Sequence, residues 1–174
     1  MNFQMTLYLI SGNIVWKNGH GVWEQMSAGD DVLEILDVDD WDPAEIEQLY
    51  RVAGWWKEEY DASELPLLIR SSFVFIVALN IDTGKAVGMG RAISDGISDA
   101  YLQDLVVLPE YRNLGVGTRM VRALVETCIS RGITWIALIA EPGTENFYLP
   151  NGFSPMTGYV PMRYTSRNEK DADT

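Results

Sequence analysis

The alternation of apolar and polar positions changes period several times along the chain, and each change marks an element. Phe3 to Ile10 and Ile14-Val15-Trp16 are rich in strand formers and flank the turn Ser11-Gly12-Asn13, with a second turn at Asn18-Gly19-His20-Gly21. This predicts an N-terminal hairpin arm within residues 1–30. Leu33 to Val38 reads as a strand. Asp42-Pro43 then opens a helix to about Val52, because Asp caps, Pro suits the first helical position and Glu45 falls in the first turn. A second helix is expected over Ser63 to Arg70, followed by three strands, Phe73 to Asn80, Ala86 to Ile93 and Tyr101 to Leu108. The connections Asp82-Thr83-Gly84-Lys85 and Ser94 to Asp99 are turn chemistry, and connections that short join antiparallel neighbours.

The period then lengthens. Over Gly115 to Arg131, Val121, Leu124, Val125 and Cys128 fall on one stripe, Arg131 sits in the last turn and Gly132 stops the helix. Ile133 to Ala140 is a near-continuous apolar run of strand length, which predicts a strand buried on both faces and parallel to Tyr101–Leu108. A short helix over Thr144 to Leu149 and a last strand near Tyr159 to Tyr164 complete an α/β fold, a mixed, mostly antiparallel central sheet flanked by helices.

With 174 residues, 47% of them apolar, the chain suits one domain, taken as residues 1–165, ahead of a polar tail over 166–174 expected to be disordered. The balance of 13 basic against 25 acidic residues, a net charge of −12, opposes binding to a polyphosphate backbone and makes nucleic acid a poor partner. The acid concentrates in the first 60 residues, with 12 Asp and Glu against 3 Lys and Arg. That field suits a cationic substrate, and equally a solvated acidic face. The longest apolar stretches, Phe73–Leu79 and Ile133–Ala140, fall well short of the ~20 residues a membrane span needs. No basic segment precedes the first apolar run, and the single cysteine, Cys128, can form no intrachain disulfide; both point to the cytoplasm.

The most informative segment runs from Leu105 to Thr118. An apolar strand, Leu105-Val106-Val107-Leu108, ends in Pro109-Glu110-Tyr111-Arg112-Asn113-Leu114-Gly115-Val116-Gly117-Thr118 and feeds directly into a helix. Glycines two apart leave the N–H groups of residues 113–118 unobstructed, and the helix N-terminus adds roughly half a positive charge, so a diphosphate can sit there. A dinucleotide G-x-G-x-x-G would need glycine where Met120 stands, and a Walker loop would need Gly-Lys-Ser/Thr; neither is present.

Arg112-x-x-Gly115-x-Gly117 resembles the acyl-CoA signature of the GCN5-related N-acetyltransferases (GNAT), and Phe147-Tyr148-Leu149-Pro150-Asn151-Gly152-Phe153 resembles that family's F-Y-x-x-x-G-F element. The resemblance spans roughly Val32 to Tyr164. It implies acetyl-CoA as cosubstrate, with main-chain groups of Leu105, Val106 and Val107 pairing with the pantetheine arm and Arg112, Asn113, Leu114, Gly115, Val116, Gly117 and Thr118 around the diphosphate. It also implies transfer of the acetyl group to a primary amine, with Tyr148 as general acid for the departing thiolate and a strand N–H of Leu105 or Val106 for the oxyanion.

The proton acceptor is less settled by resemblance. Relatives acting on polyamines or aryl-alkylamines carry Glu or His at the positions matched here by Tyr101 and Gln103, and a glutamine amide is no base. Gln103-Asp104-Leu105-Val106-Val107 resembles the plant-type aryl-alkylamine enzymes, which have a carboxylate at the place of Asp104; Glu141 is a reserve, and water could relay to either. Strand alternation puts Gln103 and Asp104 on opposite faces unless a bulge intervenes.

Of the remaining residues, His20 reads as a turn residue and Cys128 as core, so transfer should be direct, and the chain lacks a metal-ligand cluster. Trp55-Trp56-Lys57-Glu58-Glu59-Tyr60 could surround a cationic amine with aromatic faces and acid, or pack in a core or dimer; a homodimer is the expected assembly. The expected partner is a small cationic amine, aryl-alkylamine or polyamine, with no nucleic acid and no membrane. A catalytically weak acyl-CoA-binding module and a protein N-terminal or lysine acetyltransferase are the alternatives.

Overall fold

A computed structural model describes residues 32–164 and, before them, the backbone of three short strands, β1 (Leu7–Ile10), β2 (Asn13–Lys17) and β3 (Trp23–Gln25). These three pair antiparallel in the order β1-β2-β3, so the expected hairpin gains a third strand. Residues 3–6, His20 with its turn, and the tail 166–174 lie outside the described residues.

The main sheet has the order β4-β5-β6-β7-β8, built from β4 (Leu33–Asp37), β5 (Val74–Asn80), β6 (Lys85–Ser94), β7 (Asp99–Val107) and β8 (Trp135–Leu138). Strands β4 to β7 are antiparallel and β7 pairs with β8 in parallel, as the crossover through a helix requires. Helices α1 (Pro43–Ala53) and α2 (Leu65–Ser71) cover one face, and α3 (Val116–Ser130) the other; α4 (Glu145–Tyr148) follows β8.

Strand β5 is an interior strand of this sheet, and helices bury both of its faces. Val74, Ile76 and Ala78 pack with Met120, Leu124 and Cys128 of α3, while Phe75 and Val77 pack with Ile46 and Leu49 of α1 and Ile69 of α2. Each fully buried side chain of this size contributes roughly 1.5–3 kcal/mol of transfer free energy. The helix termini behave as the sequence dictates: Asp42 accepts from the Ala44 N–H at 2.9 Å, Pro43 takes the first position of α1, and Gly54 closes that helix in a left-handed conformation.

Two expectations are corrected. Strand β8 is shorter than Ile133–Ala140 and is not buried on both faces: it is the sheet's edge, with Ala137 buried but Trp135 and Ile139 exposed. An apolar run of this length reads the same whether one face or two are covered. Residues 159–164 form no strand. They pair with nothing among the described residues, Pro161 lacks an N–H, and Met162 and Tyr164 are 91% and 89% exposed.

Strand β6 shows why its glycines are needed. A Cβ on Gly88 would lie 2.8 Å from the Val106 carbonyl oxygen, and one on Gly90 would lie 2.8 Å from Leu105 Cδ1 and 3.3 Å from Leu124. Opposite Gly90 the register slips: Met89 faces Val106 but Arg91 faces Gln103, so β7 carries one extra residue. This bulge re-aims the side chains of β7 just where the next strand leaves it.

Candidate functional site

Strands β7 and β8 are paired only over Asp99–Leu102 and Trp135–Leu138, and then diverge. Beyond that point Gln103 to Val107 have β6 on one side and, among the described residues, no strand on the other, which opens a V between the last two strands of the sheet. Its β7 lip is Leu105, Val106 and Val107. An extended chain entering the V could pair with main-chain groups on this lip. The Val107 carbonyl already accepts from Arg112 Nε at 2.9 Å, so Arg112 braces the turn that follows.

That turn leads to the start of α3. Leu108 to Gly115 pass through a 3-10 turn (Pro109–Tyr111) and two left-handed residues, Asn113 (φ 61°) and Gly115 (φ 79°). Gly115 caps α3 with no side-chain hydrogen bond, and the first intrahelical donor is the Arg119 N–H to the Gly115 carbonyl, 3.1 Å. The N–H groups of Val116, Gly117 and Thr118 therefore have no acceptor among the described residues, and they carry the positive end of a 15-residue helix. Asn113, Leu114 and Gly115 are exposed beside them. A diphosphate fits this set of donors.

The two glycines differ in purpose. Gly115 is required by its backbone, since a Cβ there would meet nothing within 4 Å but φ is left-handed. Gly117 is required by packing: a Cβ would lie 3.1 Å from Phe147 Cζ. Through this contact α3 seats α4, and α4 carries Tyr148. The Tyr148 ring lies edge-on to Phe147 (4.9 Å between centroids) and Phe153 (5.9 Å), and its hydroxyl has no hydrogen bond among the described residues. Burial, then the negative charge of Glu141, raise the Tyr148 pKa above its ordinary value of 10.0. The phenol thus holds its proton at neutral pH.

Asp104 occupies the bulge with φ 56°, unusual for a residue with a side chain. Its Oδ2 accepts from Tyr50 Oη at 2.7 Å and from Arg91 Nε at 2.5 Å, while Arg91 Nη2 donates to Gln103 Oε1 at 3.1 Å. One guanidinium touching both side chains means that Gln103 and Asp104 share a face, the arrangement alternation forbids and the bulge permits. Tyr50 comes from the buried side of α1, and burial followed by the charge of Asp104 raises its pKa strongly.

On the other lip, Glu141 follows β8 and accepts from Trp55 Nε1 at 3.2 Å, linking it to the segment after α1. Trp55 and Trp56 lie 6.4 and 6.3 Å from the Tyr50 ring, and Trp56 lies edge-on to Tyr60 at 5.7 Å. The Trp55–Tyr60 segment is thus an aromatic wall that reaches Glu141 directly and Asp104 only through Tyr50. Arg119, in the first turn of α3, donates to the Leu33 carbonyl at 2.8 Å. Tyr101 lies at the other end of β7, with a buried hydroxyl that has no partner among the described residues, at a cavity of about 460 Å³ lined also by Ile93, Asp99 and Trp135.

Sequence reasoning missed Tyr50 and Arg91. Tyr50 sits on the apolar stripe of α1 and reads as core; Arg91 reads as an outward strand residue. The available signal was Gly90 opposite a possible bulge, and it names no partner.

Comparison with known proteins agrees with this architecture. Residues 34–153 match the model of the acetyltransferase (GNAT) family. An uncharacterised N-acetyltransferase, ycf52, of Porphyra purpurea is 31% identical over 109 residues, 63% of this chain and 63% of that protein. The chloroplastic serotonin N-acetyltransferase 2 of Oryza sativa is 38% identical over 71 residues, 41% of this chain and 36% of that enzyme. The matched stretch therefore spans less than two thirds of either relative. Among solved structures, a GNAT-family acetyltransferase from Streptococcus pneumoniae superposes with a TM-score of 0.65 at 25% identity, covering 78% of this chain and 98% of its own.

Proposed function

Because the chain belongs to the GNAT acetyltransferase family, we propose that it transfers the acetyl group of acetyl-CoA directly to a primary amine, and that this amine is small and cationic. One observation supports the reading: β7 leaves its main chain open beyond Leu102, ahead of the uncapped start of α3, and Phe147 packs on that start beside Tyr148. Acetyl-CoA supplies the activated thioester. Leu105, Val106 and Val107 hold its arm by main-chain pairing, and Asn113, Leu114, Gly115, Val116, Gly117 and Thr118 hold its diphosphate, with Arg112 bracing the turn.

The chain's own residues manage two protons. Asp104, directly or through water, receives the proton that the ammonium must lose before its nitrogen can form the C–N bond. Tyr148 delivers its proton to the sulfur as the C–S bond breaks; the second proton, shed by the nitrogen as the amide forms, reaches the phenolate through water, and Asp104 releases the first to solvent. Trp55, Trp56 and Tyr50 offer aromatic faces beside Asp104 and Glu141, a setting that favours a cation with an apolar body.

The assembly proposed is a homodimer. Met156, Tyr159, Val160, Met162 and Tyr164 are each exposed, and among the described residues β8 is an edge strand with exposed Trp135. Exposed apolar side chains and an open sheet edge are surfaces that a second copy can cover.

The test is thiol release with tryptamine, spermidine and a peptide acceptor, on wild type and Tyr148→Phe. The expected result is turnover with the small amines and a loss of about 10²–10⁴-fold in the variant, with acetyl-CoA binding kept. Turnover with the peptide alone, or an unimpaired variant, overturns the assignment. Because burial and Glu141 raise the Tyr148 pKa above its ordinary value, the basic limb of the wild-type pH–rate profile should lie at higher pH than a free phenol would give.

A further inference from the structure

We propose that Tyr50 and Arg91 are positioning residues that fix the Asp104 carboxylate for proton transfer; this rests on the reading of Asp104 as proton acceptor. The contacts are specific. Both donors fall on the same oxygen, Oδ2, from opposite origins: Tyr50 from α1, 54 residues away in sequence, and Arg91 from the neighbouring strand β6. With Oδ2 occupied, Oδ1 is the atom left to take a proton, and the plane of the carboxylate is set by two donors rather than by its own rotamer.

Each donor is itself held. Tyr50 is 8% exposed, anchored among Ile46 and Leu49 and flanked by Trp55 and Trp56. On a helix face that otherwise carries Ile and Leu, a phenylalanine would fill the same space, and the hydroxyl's use is the bond to Asp104. Arg91 is held by Gln103, which gives that residue a role although its amide cannot serve as a base. The bulge completes the device, since without the extra residue Asp104 would point to the α3 side, away from Tyr50.

The experiment measures thiol release with the best amine, and acetyl-CoA binding by thermal shift, on the intact chain, Tyr50→Phe, Arg91→Gln and Asp104→Asn, and on each of the first two substitutions combined with Asp104→Asn. Tyr50→Phe and Arg91→Gln are each expected to lower kcat about tenfold or more, with KM for the amine and acetyl-CoA affinity within about twofold, and to add little once Asp104 is already Asn, because residues that act through one carboxylate are not additive. Arg91→Gln provides the answer if Tyr50→Phe does not fold. An unchanged kcat in both single variants, or losses that add in full to that of Asp104→Asn, overturns the positioning role. An undiminished kcat in Asp104→Asn overturns the proton-acceptor role on which it rests.

Discussion

The turn before α3 and the bulge in β7 bracket the same few residues, 103–107, yet they are built by different means. The turn works through its main chain: two left-handed residues, Asn113 and Gly115, and three N–H groups that no side chain caps. All its parts lie within a few positions of one another. The bulge works through side chains collected from afar, Tyr50 from α1 and Arg91 from β6, which meet on one oxygen of Asp104. A main-chain site tolerates change in the side chains around it provided the backbone path is kept; a side-chain site fails when any one member is shortened. The turn should therefore govern binding of the cosubstrate, and the bulge should govern the chemistry.

Substitutions can break this division, and the largest effect is expected at the bulge. Asp104→Asn should lower turnover by about 10²–10⁴-fold in a thiol-release assay, while the thermal stabilisation by acetyl-CoA persists at ~2.7 kcal/mol when the ligand is at 100 times its Kd. A variant that loses both would show that the two regions are not separable.

The reverse pattern is expected at the turn. Gly117→Val would drive a side chain into Phe147, and the overpacking should cost about 1–3 kcal/mol in chemical denaturation. It should also weaken acetyl-CoA binding and, through α4, misplace Tyr148. Gly115→Ala should cost ~1–2 kcal/mol from its left-handed backbone alone, since the added methyl meets nothing, and should reduce the ligand-induced shift without changing the preference among amines. If Gly115→Ala instead alters amine preference, the turn and the acceptor wall are coupled.

The smallest effect is expected between the two regions, at the aromatic wall. Trp55→Phe removes the N–H that reaches Glu141 at 3.2 Å, an exposed bond worth about 1 kcal/mol or less, so KM for a cationic amine should rise a fewfold with kcat nearly unchanged. A fall in kcat of tenfold or more would move Glu141 from substrate binding into proton transfer.

Much of the fold was legible because local rules suffice for it. The strands at Leu33, Phe73, Ala86 and Tyr101, the caps of α1 and the apolar stripe of α3 all fall where periodicity and turn residues put them. Legibility failed where a segment's state depends on what lies beside it. Ile133–Ala140 carries the composition of a buried strand but sits at an edge, and Tyr159–Tyr164 has strand-like residues but no pairing partner among the described residues. A strand is completed by its neighbour, and a single sequence does not say whether one is there.

The amino-acid sequence by itself determined the glycine turn, the helix that starts at it and the phenol of Tyr148, because backbone freedom at glycine and the proton of a phenol are properties of single residues. Only the tertiary structure decided that Gly117 is kept clear for Phe147, that a bulge brings Gln103 and Asp104 to one face, and that Tyr50 and Arg91 meet on the same carboxylate. Those facts depend on distances between residues up to 54 positions apart, which packing sets and local propensity does not.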